Sequence, residues 1–291
     1  MAHTVYCDMF CTHMQKIPRI IFNIFLYGFA IIGFGLVVGF FAVKFGLTNT
    51  KGVIDVQTES FYKNTLTSSS TNTTIDTLWS QTEEWKTFSE AIKKDKNVLL
   101  RVENETGIPA RLIVSVLAVE QLRLFTSERE VYKQAFFPLK ILGTQTQFSW
   151  GVMGIKPDTA KQIENNLASS TSPYYLGKDF ENKLDFKTTD PDQERFARIT
   201  DEHDRYYAYL YGALYIKEFI EGWKKAGYED ISKKPEIIGT LYNIGFAHFE
   251  PKAEPQVGGA EIEINGVKYS FGGLTYNIYN SKELLDIFPR P

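Results

Sequence analysis

Pro109-Ala-Arg-Leu-Ile-Val-Ser-Val-Leu-Ala-Val-Glu120-Gln121 is the stretch whose reading decides the rest of the chain. Pro109 suits a helix start, where its missing N–H is no loss, and Ile113, Val116 and Leu117 recur at helical spacing. Glu120 falls on the same face, one turn beyond Val116 and Leu117 and two turns beyond Ile113. That periodicity aims its side chain at the interior. A carboxyl taken out of water in this way favours its neutral, proton-carrying form, which a general acid needs.

A second segment, Ser149-Trp-Gly-Val-Met-Gly-Ile-Lys-Pro-Asp-Thr-Ala160, has glycines that allow a backbone to approach a ligand, followed by Pro157 and Asp158 opening another helix. A third, Tyr242-Asn243-Ile244-Gly245, lies on a helix that Pro235 starts. In order and chemistry the three segments resemble the lytic transglycosylases and goose-type lysozymes, which cut the glycan strands of peptidoglycan. That family carries a helix ending in a catalytic Glu, then a Gly-Leu-Met-Gln before a Pro-x-Thr-Ala helix start, then a Tyr-Asn-x-Gly. Here the matching residues are Glu120, then Gly151-Val152-Met153-Gly154 with Pro157-Asp158-Thr159-Ala160, then Tyr242 to Gly245. The resemblance covers roughly residues 80–250. It implies Glu120 as the catalytic acid, Ser149, Gly151, Met153, Tyr242 and Asn243 as substrate-binding positions, and Tyr242 reaching toward the Glu120 carboxyl. Two positions depart from the pattern: Gln121 stands where the family most often has Ser, and Gly154 where it has Gln. The second removes an amide that would line the cleft.

The totals are compatible with this. A chain of 291 residues that is 43% hydrophobic can bury a full core and carry additional segments. A net charge of −3 without clustered Lys and Arg argues against nucleic acid as partner. Tyr and Phe dominate an aromatic content of 14%, and rings stack on sugars, although most such rings belong to a core.

In chain order, residues 1–19 form a short cytoplasmic head. Residues 20–43 hold no charged side chain and are long enough to cross a bilayer as one helix, with an uncleaved anchor favoured over a signal peptide. His3, Cys7, Cys11 and His13 match no metal-binding spacing, and no metal or other cofactor is expected. Residues 44–78 are rich in Ser, Thr and Asn and read as a linker. Residues 79–255 are expected to form a mostly helical, lysozyme-like domain. It opens with a helix over about 80–102 that a cap at Gly107 follows, and residues 169–190 look irregular. Asp190-Pro191 starts the longest helix, running to about Ala226 with His203 on its apolar stripe. In residues 256–291, alternation around Asn265-Gly266 predicts a β-hairpin, and the aromatic tail beyond it either packs back on the domain or lines the groove.

Other chemistries fit poorly. Only His203 and His248 follow the apolar segment, no cysteine does, and neither His-Glu-x-x-His nor Gly-x-Ser-x-Gly occurs. Carboxylate chemistry remains. The expectation is an extracytoplasmic, single-pass membrane protein acting on peptidoglycan by lytic transglycosylation. A hydrolytic muramidase, with Glu128 or Glu130 as second carboxylate, and an inactive glycan-binding scaffold are the alternatives.

Overall fold

In the computed structural model the described residues are 23, 25–35, 37–38, 77–126, 150–246 and 251–291. The chain divides into two units, of which the first contains residues 23, 25–35 and 37–38, all helical. Its apolar side chains, among them Phe25, Phe29, Ile31 and Phe34, are exposed. Among the described residues no helix is long and apolar enough to cross a membrane. The remainder of the expected span over 20–43 lies outside the described residues, as do the head at 1–19 and most of the linker.

The second unit is mostly helical with one small hairpin. A 3-10 turn, Leu78–Gln81, buries Trp79 edge-on against Trp85, their ring centroids 4.6 Å apart. Thr82 then caps α1 (Glu83–Lys94) by accepting from the Trp85 N–H, and acidic residues in the first turn and lysines in the last complement the helix dipole. The single helix expected over 80–102 is divided: the chain bends at Asp95 and resumes as α2 (Lys96–Thr106). The reason is tertiary, since the Asp95 carboxyl accepts from Arg205 at 2.8 Å and from the Tyr209 hydroxyl, both distant in sequence. Gly107 ends α2 in the left-handed region at φ 71°, as expected.

α3 (Ala110–Thr126) is the central helix. Every residue from Ala110 to Glu120 is buried, so the expected stripe is in fact a helix enclosed all round by its neighbours, with Arg111, Ser115 and Glu120 the polar members of the run. The Glu103 carboxyl accepts from the Ala110 N–H at 3.1 Å and so caps its start. Around α3 pack α1, α2, α6 (Tyr206–Lys225), α7 (Pro235–Ile244), the hairpin strand β1 (Glu261–Ile264) and the last helix, α8 (Phe271–Asn280). α4 (Pro157–Ala168) opens at the expected proline.

The long helix expected from Asp190 to Ala226 is two helices, α5 (Pro191–Thr200) and α6. Asp201 breaks it by turning its carboxyl onto the N–H groups of His203 and Asp204, at 2.8 and 3.0 Å. Such a local bond competes with the helical ladder. His203 therefore sits exposed in the break and lines no stripe.

The hairpin follows the reading. β1 (Glu261–Ile264) pairs antiparallel with β2 (Val267–Ser270), and Asn265 and Gly266 both take positive φ, as the tight two-residue turn requires. The tail packs back on the domain: α8 lies against α7 so closely that a Cβ at Gly239 would fall 2.2 Å from the Thr275 hydroxyl. Arg111, 1% exposed on α3, locks it there. Its guanidinium donates to the carbonyls of Ile278 (2.6 Å), Tyr279 (3.1 Å), Ser281 (3.1 Å) and Glu283 (2.5 Å), where α8 ends. Burial pushes Arg111 down to about 10, with Arg290 nearby adding to the effect.

Candidate functional site

The buried run of α3 ends at Glu120, which is 4% exposed. Its neighbours Gln121, Arg123, Val152 and Gly154 are partly exposed, so the carboxyl lies just beneath the surface rather than deep in the core. Against it stands a small closed loop. Trp150 and Ile155 form an antiparallel bridge, with Trp150 N–H donating to Ile155 O at 2.7 Å and Ile155 N–H to Trp150 O at 3.1 Å. The four residues between them, 151–154, turn tightly and are closed by Gly154 N–H on Gly151 O at 3.2 Å.

Two side chains pin this loop by consecutive carbonyls. Gln121 donates through Nε2 to Val152 O at 2.5 Å, and the Tyr242 hydroxyl donates to Met153 O at 2.7 Å. Met153 itself is fully buried, and Gly151 lies against the end of α5, where a Cβ would meet Ile199 O at 2.1 Å. The result is that Gly154 is flush with the acid. A Cβ at residue 154 would sit 2.2 Å from Glu120 Oε1 and 2.7 Å from its Cδ, and the residue holds φ at +64°. A side chain at 154 would therefore have to displace the carboxyl and would strain the backbone. The glycine is thus no mere loss of a cleft-lining amide: the Glu120 carboxyl occupies the room that a side chain at 154 would need.

Tyr242 reaches the site near Glu120, and its hydroxyl donates to Met153 O. Burial pushes its hydroxyl well above the usual range, and the nearby Glu120 carboxyl adds to that. Tyr242→Phe leaves a buried carbonyl unpaired and should cost roughly 1–2 kcal/mol of stability by denaturant unfolding. Asn243 is occupied elsewhere. Its carboxamide oxygen accepts from the Ala260 N–H at 2.8 Å and ties the approach to β1 onto α7. Ser149, Glu128 and Glu130 lie outside the described residues, while Asp158 is exposed in the first turn of α4, where the helix dipole favours it.

One partner of the acid is absent from the sequence-based expectation. Arg123 forks onto both Glu120 oxygens, Nε to Oε2 at 3.1 Å and Nη2 to Oε1 at 2.5 Å. The acid is therefore desolvated but also paired. The spacing of i and i+3 on a helix is the signal that could have found it. Among the described residues no group of three or more His, Cys, Asp or Glu side chains is placed to hold a metal ion. No family model, curated protein or solved structure matches the chain.

Proposed function

We propose that the protein is a membrane-anchored lytic transglycosylase acting on peptidoglycan outside the cytoplasm, with Glu120 as its acid and base. The observation that supports this most directly is convergence. Gln121 and Val152 are 31 residues apart and Tyr242 and Met153 are 89 apart, yet these bonds gather all three segments at one buried carboxyl.

In this reading the glycosidic oxygen between N-acetylmuramic acid and N-acetylglucosamine takes the place of Arg123 beside Glu120 and receives its proton. The resulting carboxylate takes a proton from the muramic C6 hydroxyl, whose oxygen closes on C1 to form a 1,6-anhydro ring. A single carboxyl serves this route, whereas hydrolysis usually employs two. The second reading is a non-catalytic glycan-binding scaffold, and the Arg123 fork favours it, because both oxygens of the acid are engaged. Incubating the purified chain with peptidoglycan and reading the products by mass spectrometry separates the cases. Anhydro-ended fragments support the lyase, reducing ends a muramidase, and binding without products a scaffold.

A further inference from the structure

Glu218 lies on the opposite flank of α6 from solvent and is 0% exposed. Its Oε2 accepts from Asn166 Nδ2 at 3.0 Å, and its Oε1 has no hydrogen-bond partner among the described residues. Asn166 passes the contact on: its Oδ1 accepts from the Ser172 hydroxyl at 2.8 Å, and the Ser172 oxygen in turn accepts from the Tyr174 N–H at 3.1 Å. The strap of residues 169–177, which follows α4, is thereby fastened over this carboxyl. Lys225 donates to Tyr175 O at 2.5 Å, and the Tyr174 ring lies so close over α6 that a Cβ at Gly222 would meet it at 2.7 Å.

The groups around Glu218 offer no counter-charge among the described residues. Those acting on its charge are Asn166 from the end of α4, which carries none, and the Tyr215 hydroxyl of its own helix. From the strap comes the Tyr174 ring, and from just beyond α7 the Phe246 ring, stacked on Tyr174 at 4.9 Å and on Tyr215 at 4.7 Å. Among the described residues an ionised carboxylate here has one hydrogen bond and no counter-charge, so it favours gaining water or a cation. The strap is the cover whose removal supplies water.

We propose that residues 169–177 form a pH-operated latch: the strap closes over a neutral Glu218, and charging that carboxyl releases it from α6. Burial raises Glu218 well above the usual carboxylate range, which the Asn166 bond only partly offsets. The closed form therefore keeps a proton that the opened form gives up. Closure is unaffected below the ordinary carboxyl range and weakens as pH rises from there through the raised value. The rings carry the consequence toward the candidate site, because Tyr215 also packs on Tyr242, at 5.2 Å, and Tyr242 pins Met153.

The test is hydrogen exchange by mass spectrometry on the full chain in mild detergent, across a pH series and corrected for the intrinsic rate. Amides of Ser172, Tyr174 and Tyr175 in the wild type should accelerate by up to about tenfold per pH unit once Glu218 begins to ionise, while α3 stays protected. In Glu218→Gln, which keeps the acceptor for Asn166 and cannot ionise, the corrected rate should be flat. Ser172→Ala, on the strap itself, should raise exchange by a constant factor at every pH and keep the wild-type slope. Equal slopes in wild type and Glu218→Gln overturn the latch. So does acceleration shared equally by α3, which would mean that the whole unit unfolds. None of these outcomes depends on catalysis.

Discussion

On the proposed function, replacing Gly154 with glutamine, the residue in the lytic transglycosylase pattern that this segment resembles, should lower activity on peptidoglycan rather than improve it. The Cβ alone would fall 2.2 Å from Glu120 Oε1, and the backbone there holds φ at +64°. Either the carboxyl moves or the loop does, and the loop is held at Val152 O and Met153 O by Gln121 and Tyr242. Displacing a reacting group by about 1 Å costs on the order of 100-fold in rate, and that is the loss expected. Forcing a side chain into the left-handed region adds roughly 1–2 kcal/mol of destabilisation, visible in denaturant unfolding. Gly154→Ala should show most of both effects, since the first carbon makes the collision. A glutamine at 154 that raised the rate with unfolding unchanged would mean that the Glu120 carboxyl does not stand against this residue.

Arg111→Met should be more destabilising still, by roughly 3–5 kcal/mol, because a buried charged donor is removed and several carbonyls lose it together. Those carbonyls, at Ile278, Tyr279, Ser281 and Glu283, end α8 and begin the tail. Lysine is expected to rescue little. Its single ammonium cannot reproduce a planar fork that reaches four acceptors. The loss should appear first as faster hydrogen exchange in residues 278–288, with Phe288, fully buried in the intact protein, among the groups released.

What the sequence discloses and what it hides divide along a physical line. Local patterns are readable: the inward aim of Glu120 from its spacing, the start of α4 at Pro157, the cap at Gly107, and the hairpin from Asn265-Gly266, whose positive φ values few other pairs supply. The break at Asp201 is also local, with a carboxylate two residues before an N–H that it can take, but the apolar spacing continuing into α6 conceals it. The break at Asp95 has no local signal, because Arg205 and Tyr209 cause it. At the site, the same distinction holds. Glu120 is legible as a residue, whereas its neighbours are not: the contact with Gly154 and the commitments of Tyr242 and Asn243 depend on where the loop and the hairpin approach α3 and α7.

Whether Glu120 performs the bond cleavage is decided by one paired measurement: the rate of anhydro-muropeptide release from peptidoglycan by the wild type and by Glu120→Gln, followed by mass spectrometry. Glutamine retains an acceptor for Arg123, so the variant should remain folded by circular dichroism and thermal unfolding. Its rate should fall by roughly 100- to 10,000-fold, the range that a positioned general acid supplies. Release from the variant at the wild-type rate, or none from a folded wild type, would contradict that role.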